Sequence, residues 1–126
     1  QDDLPAVIVR RVIGPHRILG VSVATVAQAE QAARAGATYL GVGAVYATST
    51  KPDAQAPIGL DTLAAIVQAT PLPCVAIGGI TLENAAAVMQ TGVQGVAVVS
   101  AIMSAADPQQ AARSLREIVQ QHRRKP

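Results

Sequence analysis

Two short apolar runs, Val75-Ala76-Ile77 and Val96-Ala97-Val98-Val99, constrain most tightly what this chain can fold into. Both are rich in β-branched residues and nearly free of polar interruption, the pattern of strands covered on both faces in a parallel sheet. The first runs into Gly78-Gly79 and the second into Ser100-Ala101-Ile102, and helical pattern follows each. Adjacent glycines let backbone approach a ligand closely, and a strand passing into Ser at a helix start presents unpaired N–H groups. Two such turns side by side form an anion cradle, with donors and helix dipoles aimed at one phosphate. A plain tight turn accounts for Gly78-Gly79 as well, because turn glycines are common.

The rest of the chain repeats the strand-to-helix alternation. Asp3 and Pro5 suit a helix entry, apolar Val7, Ile8, Val12 and Ile13 a short helix, and Gly14-Pro15 its stop. Ile18–Ser22 and Tyr39–Gly43 read as strands, separated by a helix that Thr25 and Gln28 open as a capping box and Gly36 closes. A long polar stretch from Tyr46 to Pro57 precedes a helix over about 60–69, broken by Pro71 and Pro73 before a third strand at Cys74. Thr81 is the expected cap of the next helix, which Gly92 ends. Asp107-Pro108 with Gln110 opens the last helix. Ala35-Gly36-Ala37 and Thr91-Gly92-Val93 both close a helix just before a strand, a faint internal repeat. The expectation is an α/β chain of four parallel βα units preceded by one helix, with right-handed crossovers. Four units are half of a TIM (β/α)8 barrel, in which phosphate cradles follow strands seven and eight. Residues 1–126 then form a single partial domain, the C-terminal half of such a barrel. Its sheet would have two open edges and a bare, strongly apolar inner face.

Composition narrows the partners. Charged residues are 14% of the 126, against about 25% in an average globular chain, and apolar residues are 50%. Trp and Phe are absent and Tyr39 and Tyr46 are the two aromatics, so no set exists for stacking on bases. The net charge is only +2, and His122-Arg123-Arg124-Lys125 reads as the solvated end of the last helix rather than a nucleic-acid contact. One cysteine, Cys74, excludes an intrachain disulfide and reads as a small core residue in a reducing compartment. No run reaches the ~18 apolar residues of a membrane span and no signal peptide is visible, so a cytoplasmic location is expected.

Chemistry-bearing residues gather where strands end. Thr48-Ser49-Thr50-Lys51 lies in the long connection after the second strand and offers neutral donors and a mobile cation suited to phosphoryl oxygens. An ordinary solvated loop has the same composition. Ser22 ends the first strand on the same expected rim, or simply caps the next turn. Asp3 is a helix cap or a hard oxygen ligand of the kind Mg²⁺ accepts. Asp53, Asp61, Glu83 and Asp107 read as loop or capping carboxylates, and His16 and His122 have no acid or nucleophile at triad-like positions.

Together, GVSV…T at 20–25, YLGVGAVYATSTK at 39–51, VAIGGI at 75–80 and GVAVVSAI at 95–102 resemble thiamine-phosphate synthase, as does the opening QDDLP. The resemblance runs over essentially the whole chain. It implies a (β/α)8 barrel that joins hydroxymethylpyrimidine diphosphate to thiazole phosphate, releasing pyrophosphate by a dissociative route with Mg²⁺. Carried over by match, Asp3 would ligate Mg²⁺, Ser22 and Lys51 would hold the diphosphate, and Lys51 and Ser22 would be the catalytic pair. Thr48, Ser49 and Thr50 would line the thiazole phosphate site, with Gly79, Val99 and Ser100 as its cradle.

The chain departs from the family pattern at Ala24, where His is frequent, and at Ala44 and Ala47, where Pro is usual. The family's front half, with its Gln-x-Arg-x-Lys stretch and Asn-Asp pair, is absent from these 126 residues, and position 1 is Gln. The expectation is the C-terminal half of a synthase, or a half-barrel derived from one, that is inactive alone. Its partner would be the missing N-terminal half-barrel or a second copy of itself. A thiazole tautomerase-like relative and a non-catalytic phosphate-binding half-barrel are the competing readings.

Overall fold

The structure, a computed structural model, describes residues 18–47, 56–98, 100–103 and 105–122. In chain order these form β1 (Gly20–Val23), α1 (Val26–Arg34), β2 (Tyr39–Val42), α2 (Gly59–Ala69), β3 (Cys74–Ile77), α3 (Ala85–Met89), β4 (Gly95–Ala97), α4 (Ser100–Met103) and α5 (Pro108–His122). The strands make one parallel sheet in the order β1-β2-β3-β4. Gly20 stands opposite Tyr39, Leu40 opposite Cys74 and Val75 opposite Gly95. The expected βα alternation is the observed one. The helix expected before the first strand lies outside the described residues.

Local chemistry explains most boundaries. Helix α1 opens on a variant of the capping box: Thr25 Oγ1 accepts from the Gln28 amide at 3.0 Å, and Gln28 Oε1 reaches past the cap residue to accept from the Ala24 amide at 2.7 Å. It closes at Gly36, φ 98°, where the Gly36 amide donates to Ala33 and the Ala37 amide to Ala32, the two bonds of a Schellman motif. Gly92, φ 101°, ends the segment of α3 with its amide on the Met89 carbonyl, so the faint sequence repeat is a repeat of helix endings. At α5, Asp107 Oδ1 accepts from the Gln110 amide at 3.1 Å, as its cap position requires.

Three boundaries differ from expectation. Strand β1 starts at Gly20, because Leu19 is engaged by Thr38: its amide donates to Thr38 Oγ1 at 2.8 Å and its carbonyl accepts from the Thr38 amide at 2.8 Å. Helix α3 starts at Ala85, because Thr81 and Asn84 close a turn first, each side chain accepting from the other's amide. Strand β4 stops at Ala97, short of the apolar run's end.

Side chains alternate across a strand, so the sheet has two faces. Val23, Leu40, Val42, Cys74 and Ala76 point to one, and all are buried beneath the helices, where Leu63, Ile66, Val88 and Met89 meet them. Full burial of side chains this size contributes about 1.5–3 kcal/mol each. On the other face stand Gly20, Ser22, Tyr39, Gly41, Val75, Ile77, Gly95 and Ala97, none of them buried. Coverage on both faces, as the apolar runs predict, is therefore met only on the helix side. The bare face is also smaller in character than expected, with glycine on three strands. Tyr39 lays its ring across Gly20, and Ile77 Cδ1 lies 3.3 Å from where a Cβ on Gly41 would stand. Ile18, Tyr39 and Ile77, the exposed large apolar residues among those described, all stand in phase with this face, at 80%, 40% and 42% exposure.

Candidate functional site

In a parallel sheet every strand delivers its C-terminal end to the same rim, where βα connections carry the chemistry. On this rim the connection after β2 is docked onto the connection after β3. The Val45 amide donates to the Ile77 carbonyl at 2.8 Å and the Tyr46 amide to the Gly78 carbonyl at 3.0 Å. The far end of the same connection returns to it, with the Ile58 amide on the Ala44 carbonyl at 2.8 Å and the Gly59 amide on Val45 at 3.0 Å. Val45, bonded through both its amide and its carbonyl, is buried. The stem of the long polar stretch is thereby pinned at both ends by backbone alone.

That docking is what demands glycine at 78 and 79. Both have positive φ, 104° and 66°, a region that disfavours side chains. A Cβ on Gly78 would stand 2.7 Å from Ala44 Cα, and one on Gly79 would stand 2.6 Å from the Ala47 carbonyl oxygen. Backbone close approach was the sequence expectation for this pair. The backbone that approaches is the chain's own, and it brings Ala47, the residue before the Thr48–Lys51 run, against Gly79. On the other side of the turn, Asn84 Nδ2 donates to the Gly79 carbonyl at 3.1 Å.

Beside this turn a cavity of about 280 Å³ opens, lined by Ser22, Val23, Ala24, Gln28, Gly41, Gly43 and Ile77. It spans the ends of β1 and β2, with β3 contributing Ile77. Of the residues singled out in the sequence, Ser22 lines the cavity and Gly79 sits in the turn after β3. Ser100 is the first residue of α4, which is four residues long. Asp3, Thr48, Ser49, Thr50, Lys51 and Val99 lie outside the described residues. Sequence reasoning missed Gln28 as a cavity wall and Asn84 as a tie to Gly79. Gln28 was recognised as a cap, but its second role depends on where α1 starts relative to β1.

The described rim has little fixed charge. Glu30, Asp61, Glu83 and Asp107 are exposed, and none lines the cavity. Among the described residues no three His, Cys, Asp or Glu side chains are grouped to hold a metal ion. Cys74 lies on the covered face, its Sγ 3.5 Å from the Leu72 carbonyl, and burial pushes its thiol above the ordinary range. His122 Nδ1 is 2.9 Å from the Ile118 carbonyl. No helix among the described residues is long and apolar enough to cross a membrane.

Comparison with known proteins points one way. A family model described as thiamine monophosphate synthase matches residues 1–102. The thiamine-phosphate synthase of Roseiflexus castenholzii is 58% identical over 121 residues, 96% of this chain and 53% of that protein. That of Moorella thermoacetica is 52% identical over 125 residues, 99% of this chain and 60% of that protein. Among solved structures, thiamine phosphate pyrophosphorylase from Pyrococcus furiosus superposes with a TM-score of 0.84 at 41% identity, over 96% of this chain and 57% of that one. 3-Hexulose-6-phosphate synthase from Salmonella typhimurium superposes with a TM-score of 0.66 at 26% identity, over 84% of this chain and 51% of that one. The chain spans about half the length of the curated relatives it matches.

Proposed function

The chain belongs to the thiamine monophosphate synthase family, and from that membership we propose that it forms the thiazole-phosphate side of a thiamine-phosphate synthase. In this reading residues 1–126 are a partial domain, the C-terminal half of a (β/α)8 barrel. Support comes from the bare sheet face, because a closed barrel fills its interior with side chains from all its strands. The relatives' greater length agrees with it. The occupant of the bare face is a front half-barrel, or a second copy where none is supplied.

The observation that carries the functional reading is the docked stem. Backbone bonds from Val45 and Tyr46 to Ile77 and Gly78 seat Ala47, the residue before the hydroxyl run in the sequence, against Gly79. Thr48, Ser49 and Thr50 are then the side-chain donors, and Gly79, Val99 and Ser100 the backbone cradle, of one phosphate. Ser22, across the cavity, and Lys51 face the diphosphate of the second substrate. The reaction breaks the pyrimidine methylene carbon–oxygen bond, its electron pair leaving on pyrophosphate, and the thiazole nitrogen's lone pair forms the new carbon–nitrogen bond. Fixed donors and a Lys stabilise the departing anion, and no protein nucleophile is needed. Mg²⁺ with Asp3 as its ligand belongs to this proposal. Asp3 lies outside the described residues, and those described offer no group of three His, Cys, Asp or Glu for such an ion.

The test is to titrate the purified chain with thiazole phosphate by calorimetry, then to assay thiamine phosphate formation with and without the front half of the Roseiflexus castenholzii relative. Binding by the chain alone, with condensation only after complementation, is expected. Binding with no condensation in the complemented protein identifies a phosphate-binding module instead. Isomerisation of a thiazole carboxylate phosphate identifies a tautomerase.

A further inference from the structure

Two consecutive peptide planes in the turn after β3 are locked by bonds to their carbonyl oxygens. The Gly78 carbonyl accepts from the Tyr46 amide at 3.0 Å, and the Gly79 carbonyl accepts from Asn84 Nδ2 at 3.1 Å. A trans peptide is planar, with its N–H directed opposite its C=O. Tying the Gly78 oxygen toward the stem therefore turns the Gly79 N–H away from it, and tying the Gly79 oxygen toward Asn84 turns the Ile80 N–H away from Asn84. Neither of these N–H groups has an acceptor among the described residues. Buried or half-buried amides without partners are rare in folded proteins, and Ile80 is buried. Successive N–H groups in a turn of this kind form a concave anion seat.

We propose that Asn84 is a positioning residue for the phosphate, holding the Gly79–Ile80 peptide so that its amide remains a donor to the ligand. The proposal rests on the thiazole-phosphate reading above. Asn84 suits the role because both ends of its amide are committed. Oδ1 accepts from the Thr81 amide at 2.8 Å while Nδ2 donates to Gly79, so only one orientation of the group satisfies both. Without the Nδ2 bond the Gly79–Ile80 peptide is free to rotate, since Gly79 tolerates a wide range of φ and ψ. An aspartate keeps the acceptor for Thr81 and loses the donor. It also sets a carboxylate against the Gly79 carbonyl, so Asn84→Asp separates capping from positioning.

The experiment uses the whole 126-residue chain, ¹⁵N-labelled and titrated with thiazole phosphate. Asn84→Asp is expected to weaken binding at least tenfold, to shift the free-state resonances of the Gly79 and Ile80 amides, and to lower the melting temperature by only a few degrees. Asn84→Ala is expected to lose both bonds and weaken binding as much. Thr81→Ala removes the hydroxyl that accepts from the Asn84 amide. It is expected to cost stability while leaving affinity within twofold. Equal affinity of Asn84→Asp and the wild type overturns the positioning role and leaves the phosphate reading intact. Failure of the wild-type chain to bind thiazole phosphate overturns the phosphate reading, and the positioning role with it. A Thr81→Ala chain that loses affinity as Asn84→Asp does would show that general loosening of the turn is responsible, and would overturn the specific role.

Discussion

The Tyr46 amide meets the Gly78 carbonyl at 3.0 Å, and this bond ties the connection that leaves β2 at Val42 to the residue immediately after the end of β3 at Ile77. The tie puts the connection after β2 in contact with the turn after β3, which no short-range pattern in the sequence specifies. Positive φ at Gly79 and the Ala47 oxygen beside it then leave no room for a side chain.

Gly79→Ala is therefore expected to be costly. A left-handed backbone costs an L-residue about 1–2 kcal/mol, and forced overpacking adds about 1–3 kcal/mol. Urea denaturation should show a loss of about 2–5 kcal/mol, and thiazole phosphate binding should fall with it. A loss under about 0.5 kcal/mol would mean the stem is not seated on this residue.

The two sheet faces should respond oppositely to substitution. Leu63, fully buried against the covered face, should lose about 2–5 kcal/mol on change to Ala. Ile77, exposed on the bare face, should lose no more than about 0.5 kcal/mol on change to Ala in the isolated chain, the usual range for surface changes. In the chain complemented with a front half, Ile77→Ala should approach the core value. Equal costs in both settings would contradict an interior role for that face.

An uncovered face bearing Ile18, Tyr39 and Ile77 should make the isolated chain self-associate. Sedimentation velocity should show weight-average mass rising with concentration, and Ile77→Asp should reduce that rise. A single monomeric species across the range would count against the half-barrel reading.

Stability should decline at alkaline pH through Cys74. Burial raises its thiol pKa in the folded state, so folding favours the protonated form. The resulting stabilisation is complete below the unfolded thiol's value of about 8.5 and is lost as pH rises through the folded value. Cys74→Val should flatten the stability curve above about pH 8.5 relative to wild type. An identical alkaline slope in both proteins would assign the decline to other groups.

What could be read from the sequence was what neighbouring residues decide among themselves. Thr25 and Gln28 form their box within one turn, Gly36 and Gly92 end helices through bonds to residues three to five back, and Asp107 caps α5 from the adjacent position. Those features, with the apolar runs, were enough for a parallel α/β sheet. Thr81 suits a cap by its residue type and position, but in the fold it closes a turn with Asn84 that satisfies itself and delays the helix to Ala85. The role of Gly78-Gly79 as a seat for Ala44–Ala47 was hidden, since those contacts join residues more than thirty positions apart. Gln28 and Asn84 were missed at the site for the same reason. Each has an ordinary local job, and only the fold gives it a second one.

The stem of the long connection is closed by four bonds that use no side chain beyond the backbone of Ala44, Val45, Tyr46, Ile58 and Gly59 and its partners Ile77 and Gly78. The closure therefore depends on main-chain position and not on which side chains Tyr46 and Ile58 carry, so those positions can vary while the strand register stays where it is.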